Sequence, residues 1–202
     1  MASEHFFRNF TMQDKNDQVV ARLQKLEKFK EMGIEAYPHS FNRSHDSCLL
    51  KEKKEEFLAN ETTISFAGRV VRFNRKGKVC FMHLKDRYGR LQVVCARDIV
   101  GEENYEVVKL IDLGDFIGVE GVMFETQTGE YSVKVSSVKM LSKAVRPLPT
   151  PKEKIDENGN KIIFNEFADV DTRYRQRYTD MALNDDVKDV FIKRSKIMQS
   201  IR

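Results

Sequence analysis

At about Thr62 the spacing of apolar residues changes from helical steps to strict alternation, and this constrains the fold more than any other feature. Before it, Val19, Leu23, Leu26, Phe29 and Met32 recur at steps of three or four, which gathers them on one face of a helix over about Asp17 to Met32. Gly33 is placed to end that helix, because glycine takes the left-handed conformation that many helix stops need. An irregular stretch around Pro38 follows. A second short helix is expected over about Ser47 to Leu58, with Leu49, Leu50, Phe57 and Leu58 among lysines and glutamates.

From Thr62 the period is two: Ile64, Phe66 and Val70 alternate with Ser65, Ala67 and Arg69. The loop FNRKGK leads into a second strand, KVCFMHLKD, and the turn RYG into a third, RLQVVCAR. Glu102 to Ile111 reads as a helix. DFIGVEGVMF is a fourth strand, and the turn TQTG leads into a fifth, EYSVKVSSVKML. Three strands, one helix and two strands predict an all-β OB-fold barrel, a five-stranded Greek key with one helix between strands 3 and 4. The predicted organisation is an N-terminal helical extension over 1–60, the barrel over 61–142, and a linker and turn over 143–168. In the linker, RPLPTP is stiff and extended and DENGN marks a hairpin. Helix returns over 169–202, where Asn184 or Asp185 can cap a last helix with an apolar stripe of Val187, Val190, Phe191, Met198 and Ile201. The stripe runs to Arg202 with no stop signal and nothing to cover it, so the chain reads as cut in mid-domain.

Charge is concentrated in one segment. Residues 61–100 carry nine basic and three acidic residues, while the whole chain is only +4. Such a field suits a polyanion. Strand parity sorts the side chains within it. Cys80, Met82 and Leu84 share one face and Val79, Phe81 and His83 the other, while Leu91, Val93 and Cys95 oppose Gln92, Val94 and Ala96. If the first sets fill the barrel, Phe81, Gln92 and Arg69 look outward, on the face OB-folds use for oligonucleotides or oligosaccharides. An outward phenylalanine flanked by arginines offers base stacking with phosphate neutralisation, and Gln92 adds paired donor and acceptor groups for a base edge. The alternative is that Phe81 packs under the N-terminal helices and the cations are merely solvated.

The other candidates are weaker. His5, His39, His45 and His83 lack ligand spacing, so no metal site is expected. Cys48, Cys80 and Cys95 are too few for a disulfide framework; they read as core fillers, and their usage fits a reducing cytoplasm. Tyr174 and Tyr178, with Arg173, Arg175 and Arg177, suit a nucleic-acid or membrane-surface helix, or an interface. No apolar run reaches the roughly 18–20 residues of a bilayer span. No phosphate loop, nucleophile–base pair or carboxylate cluster is visible, so by its residues alone the chain is a binding module without catalytic groups.

The order of VARLQKLEKFKEMGIEAYP, FAGRVVRFNRKGKVCFMHLKDRYGRLQVV, DLGDFIGVEGVMFETQTGE, KAVRPLP and RYRQRYTDM resembles the N-terminal part of class II lysyl-tRNA synthetases, from about Val19 to Arg202. The resemblance implies an anticodon-binding barrel for the lysine tRNA. In that family a second-strand phenylalanine, here Phe81, stacks on the central anticodon uridine. A third-strand glutamine, here Gln92, and a glutamate of the loop between strands 4 and 5, here Glu130, read anticodon bases. Arg69 stands where the first strand has an arginine. Where some relatives have a basic pair this chain has Phe73-Asn74, with Arg72 and Arg75 as the nearest substitutes. The resemblance also implies a lysine–tRNA ligase parent that uses ATP and magnesium and forms a homodimer, its interface begun by VFIKRSKIMQSIR. The ATP-binding signatures of the second and third class II motifs do not occur in the chain. By this reading it is an inactive fragment with no cofactor of its own, holding the first helices of a truncated class II α/β catalytic domain. The competing readings are a free-standing single-strand nucleic-acid binder that does not read sequence, and a dimerisation or scaffold module.

Overall fold

The computed structural model describes residues 17–149, 152–155, 161–164 and 167–202. The chain divides into two units at Pro147-Leu148. In the first, helix α1 (Asp17–Glu31) buries Val19, Leu26 and Phe29. Its end is a Schellman turn: Gly33 N–H donates to Lys30 O at 3.0 Å and Ile34 N–H to Phe29 O at 2.9 Å, with Gly33 at φ +68°. That turn brings Ile34 back onto the core, and Met32, expected on the apolar face, is left exposed.

The single helix expected after it is two, α2 (Ser47–Glu52) and α3 (Lys54–Asn60). Lys53, at φ −101° and ψ 33°, breaks the helical run, and the change of direction lets α3 pack on the barrel wall. Asp46 caps α2 by accepting from Leu49 N–H at 2.9 Å.

Strands β1 (Ile64–Lys76), β2 (Val79–Lys85), β3 (Arg90–Ala96), β4 (Phe116–Glu125) and β5 (Tyr131–Ser142) close into a barrel in the order β1-β2-β3-β5-β4. All neighbours are antiparallel except β3 and β5, which are parallel. The inward set is the one parity predicts: Ile64, Phe66, Val70, Cys80, Met82, Leu84, Leu91, Val93 and Cys95 are all buried. Leu26, Phe29, Leu50 and Phe57 belong to the same core, so the N-terminal helices and the barrel are packed as one body. On β4, a Cβ on Gly118 would stand 2.5 Å from the Phe41 ring, so only glycine admits that ring against the strand. Between β3 and β4 a four-residue helix, α4 (Arg97–Val100), and the expected helix, α5 (Glu102–Leu110), are parted by Gly101 at φ +84°.

A buried ionic cluster ties down the strand ends. The fully buried Lys143 donates to Asp115 Oδ2 and Asp112 Oδ2, each at 2.7 Å, and to Leu110 O at 3.0 Å. All three ammonium protons are thereby used. Asp115 also accepts from the N–H groups of Asp112 and Ala144. Arg22 donates to Ala144 O and Lys25 pairs with Asp112, so α1 is fastened to the same place.

Two cysteines are the core fillers expected; the third is not. Cys80 and Cys95 are buried, and burial pushes both thiols up, Cys80 to about 11. Cys48 is exposed, because it lies roughly 200° around α2 from the buried Leu50.

No helix or strand occupies residues 143–149. In the second unit, β6 (Lys152–Ile155) pairs antiparallel with β7 (Lys161–Phe164), which is the expected hairpin. Its DENGN tip, with Thr150 and Pro151 of the linker, lies outside the described residues. Helices α6 (Val170–Arg175), α7 (Arg177–Leu183) and α8 (Asp185–Ile201) follow. Asp180 organises them: its fully buried carboxylate accepts from Arg173 Nε at 3.0 Å, Arg177 Nη1 at 2.6 Å and Asn184 Nδ2 at 2.6 Å. Asn184 holds the expected N-cap position of α8, but its side chain is spent on Asp180 and makes no cap bond. Helix α8 buries none of its residues within this chain; Val190, Met198 and Ile201 are exposed, and Val187 and Phe191 are half-buried. No helix among the described residues is long and apolar enough to cross a membrane.

Candidate nucleic-acid interface

One irregularity in β1 shapes the outer face of the barrel. Val70 pairs with Leu84, but the next pairing is Arg72 with His83, so Val71 is an extra residue. Such a bulge reverses the parity of everything after it. Without it Arg72 would follow Val70 inward; with it Arg72, Asn74 and Lys76 join Phe81 and His83 outside, while Phe73 and Arg75 turn to the other side.

Four strands then present a row in register: Arg72 on β1 opposes His83 on β2, His83 opposes Gln92 on β3, and Gln92 opposes Ser132 on β5. Phe81 lies in the next row, opposite Asn74. The β4–β5 turn closes over this row. It is held by Gly129 N–H to Thr126 O at 2.8 Å and Thr126 N–H to Glu130 O at 3.0 Å, with Gly129 at φ +77°. It suspends Glu130 above Gln92 and His83. Glu130 and these residues other than Ser132, with Lys76, Thr126 and Thr128, line an open cleft of about 270 Å³.

Glu130 is the hub of its polar contacts. His83 Nε2 stands 3.0 Å from Glu130 Oε1, so a neutral ring must carry its proton on Nε2. The Gln92 amide is oriented by its neighbours: its nitrogen donates to Glu130 Oε2 at 2.7 Å and its oxygen accepts from Ser132 Oγ at 3.0 Å. The reverse orientation would set a carbonyl against a carboxylate. Gln92 therefore stays on the outer face that strand alternation assigns it but is buried there, because the β4–β5 turn and the parallel pairing with β5 cover it. Glu130 stays half exposed, and Phe81 is half-buried.

Of the residues singled out from the sequence, the cleft brings together Phe81, Gln92, Glu130 and Arg72. Arg69 and Arg75 do not line it. Arg69 pairs across from Lys85, four residues and roughly 13 Å along β2 from Phe81. Its guanidinium donates to Gly114 O at 3.0 Å and lies 4.2 Å over the Phe116 ring. Burial lowers its pKa. Arg75 opposes Cys80 on the far side of the strand. In the second unit, Arg173 and Arg177 are engaged by Asp180, Arg177 also stacks at 4.5 Å on the exposed Tyr174, and Arg175 is exposed.

Sequence reasoning missed His83, Asn74 and Ser132. His83 was visible as a face-mate of Phe81 but was weighed only as a metal ligand. Among the described residues no group of three histidine, cysteine or acidic side chains is placed to hold a metal.

An aromatic ring, an amide and a carboxylate converging beneath basic side chains make a site for a nucleobase and its phosphates. In agreement, residues 64–141 match the family model of an OB-fold nucleic acid binding domain. The chain is 42% identical over 197 residues to a lysine–tRNA ligase of Staphylococcus epidermidis, an alignment that takes in 94% of the chain and 37% of that relative. It is 42% identical over 207 aligned positions to a lysine–tRNA ligase of Streptococcus pneumoniae, covering 100% of the chain and 38% of that relative. At this level the chain is similar along its whole length to members of the lysyl-tRNA synthetase family. It spans a little over a third of the length of these relatives.

Proposed function

We propose that the chain binds the anticodon loop of a lysine-accepting tRNA through the Phe81 cleft. The observation that carries this reading is the convergence of Phe81, Gln92, Glu130 and Arg72 on one open surface. A base stacks on Phe81, an edge N–H is accepted by Glu130, and Arg72 with Lys76 neutralises the flanking phosphates. Gln92 and His83 act through Glu130, holding its carboxylate in place before RNA arrives, so less freedom is lost on binding. In a longer protein of this family the domain would present tRNA to a lysine-activating centre that uses ATP and magnesium. Homodimerisation through the α8 stripe and a cytoplasmic location belong to the same reading.

The test is fluorescence titration with anticodon stem-loops. A loop with uridine at its centre should bind more tightly than one with cytidine, and Phe81→Ala should cost about 1–3 kcal/mol, the worth of one lost base stack. Equal affinity for all anticodons with Phe81→Ala silent would favour a binder that follows backbone without reading sequence.

A further inference from the structure

The parity reversal that places Arg72 in the Phe81 cleft has a counterpart on the other side of β1. There Phe73 and Arg75 face a second cleft of about 470 Å³, closed by Arg22 and Lys25 of α1 and by Lys109, Ile111, Asp112 and Leu113 at the end of α5. Its chemistry is uneven. Phe73, Ile111 and Leu113 supply an apolar surface, and four cations stand around it. Its one lining carboxylate, Asp112, is already bound by Lys143 at 2.7 Å and by Lys25. Burial opposes ionisation of Asp112, yet the hydrogen bonds from Lys143 and Lys25 hold its carboxyl below the ordinary range. Lys109 pairs with Glu106 on the surface of its own helix, an exposed contact that an incoming anion can replace cheaply. Arg75 has no carboxylate within ion-pair distance among the described residues. Arg22 is held in position by its bond to Ala144 O at 2.9 Å, leaving the rest of its guanidinium to donate.

From this geometry we infer that the cleft between α1 and the tip of the β1–β2 hairpin is a second RNA contact, taking the phosphodiester backbone next to the loop held at Phe81. The two clefts lie on opposite faces of one strand, with Arg72, Asn74 and Lys76 on one side and Phe73 and Arg75 on the other. A strand with its side chains is on the order of 10 Å thick, so an RNA draped over the hairpin reaches both within a few nucleotides. The inference rests on the reading of the Phe81 cleft only for which RNA is bound. Phosphate contacts of this kind position an RNA without reading it.

Arg75→Gln and Lys109→Gln test it in stem-loop titrations over a salt series, with Lys139→Gln as a control for net charge, since Lys139 is exposed on β5 opposite Gly118. Each cleft variant should weaken uridine- and cytidine-centred loops by the same factor. Each should also reduce the slope of log affinity against log salt by about 0.7–0.9, so that the wild-type advantage shrinks about threefold between about 50 and 200 mM salt. The effect should persist in a Phe81→Ala background. A loss of base preference with the Arg75 effect intact would sink the anticodon reading and leave the second cleft standing. Unchanged slopes in both cleft variants would overturn it, as would an equal loss in Lys139→Gln. So would binding of free ATP that depends on Arg75 while RNA affinity does not.

Discussion

The barrel and the C-terminal helices treat their basic residues in opposite ways. In the second unit Arg173 and Arg177 are both consumed by the buried Asp180, and the helices they join hold together through that carboxylate. In the barrel the half-buried Asp112 and the buried Asp115 are satisfied by lysines, chiefly Lys143, and Arg72 and Arg75 have no carboxylate within ion-pair distance among the described residues. A run of arginines in a sequence therefore says little until its nearby acids are placed. Arg72 and Arg75 are available to a polyanion, whereas RYRQRY has two of its three arginines committed to structure.

This contrast can be broken at its strongest point first. Asp115→Ala removes the fully buried partner of the barrel's ionic cluster and leaves the Lys143 ammonium with only Asp112 and Leu110 O, so it should cost about 3–5 kcal/mol in chemical denaturation. A cost below about 1 kcal/mol would mean that water reaches Lys143 and that the cluster is not what frees the arginines.

Next comes pH. Burial works against ionisation of Asp180, but bonds from Asn184 and Arg173 prevail and lower its pKa. A depressed folded pKa gives stability that is fully present above the ordinary carboxylate value of about 3.9 and is lost as pH falls through it toward the folded value. In the barrel, burial raises the Asp115 pKa, which contributes stability of the opposite sign as pH falls. Acid titration followed by circular dichroism should show Asp180→Asn removing acid sensitivity from the helices after Asp169. An unchanged acid limb would refute the role given to Asp180.

The smallest effect sharpens the comparison instead. Arg72→Gln should weaken every stem-loop alike and lower the salt slope by about one contact's worth, roughly 0.7–0.9. Arg173→Gln should leave that slope unchanged. If the two variants behave alike, the division between free and committed arginines fails.

Much of the barrel was legible because alternation is a local property. Two neighbours decide whether a side chain points in or out, so Cys80, Met82, Leu84, Leu91 and Val93 sorted correctly without any knowledge of topology. That Phe81 faces outward was legible from strand parity. The helix break at Lys53 was not: Ser47 to Leu58 holds no glycine or proline to mark it.

What the sequence determined by itself, then, was the inward face of β2, of β3 and of β1 as far as Val70, the Gly33 stop and the basic segment over 61–100, since all of these rest on residues close together in the chain. Three things belonged to the tertiary structure. The extra residue at Val71 sends Arg72 and Arg75 to opposite faces, because a bulge is defined only against its partner strand. The parallel closure of β3 on β5 buries Gln92 beneath Glu130, so a residue expected open on the outer face is covered there. The docking of α1 against the far side of β1 encloses the second cleft with residues up to ninety-one positions apart, from Arg22 to Leu113. Barrel closure and long-range packing bring such distant residues together, and no short-range pattern records which of them will meet.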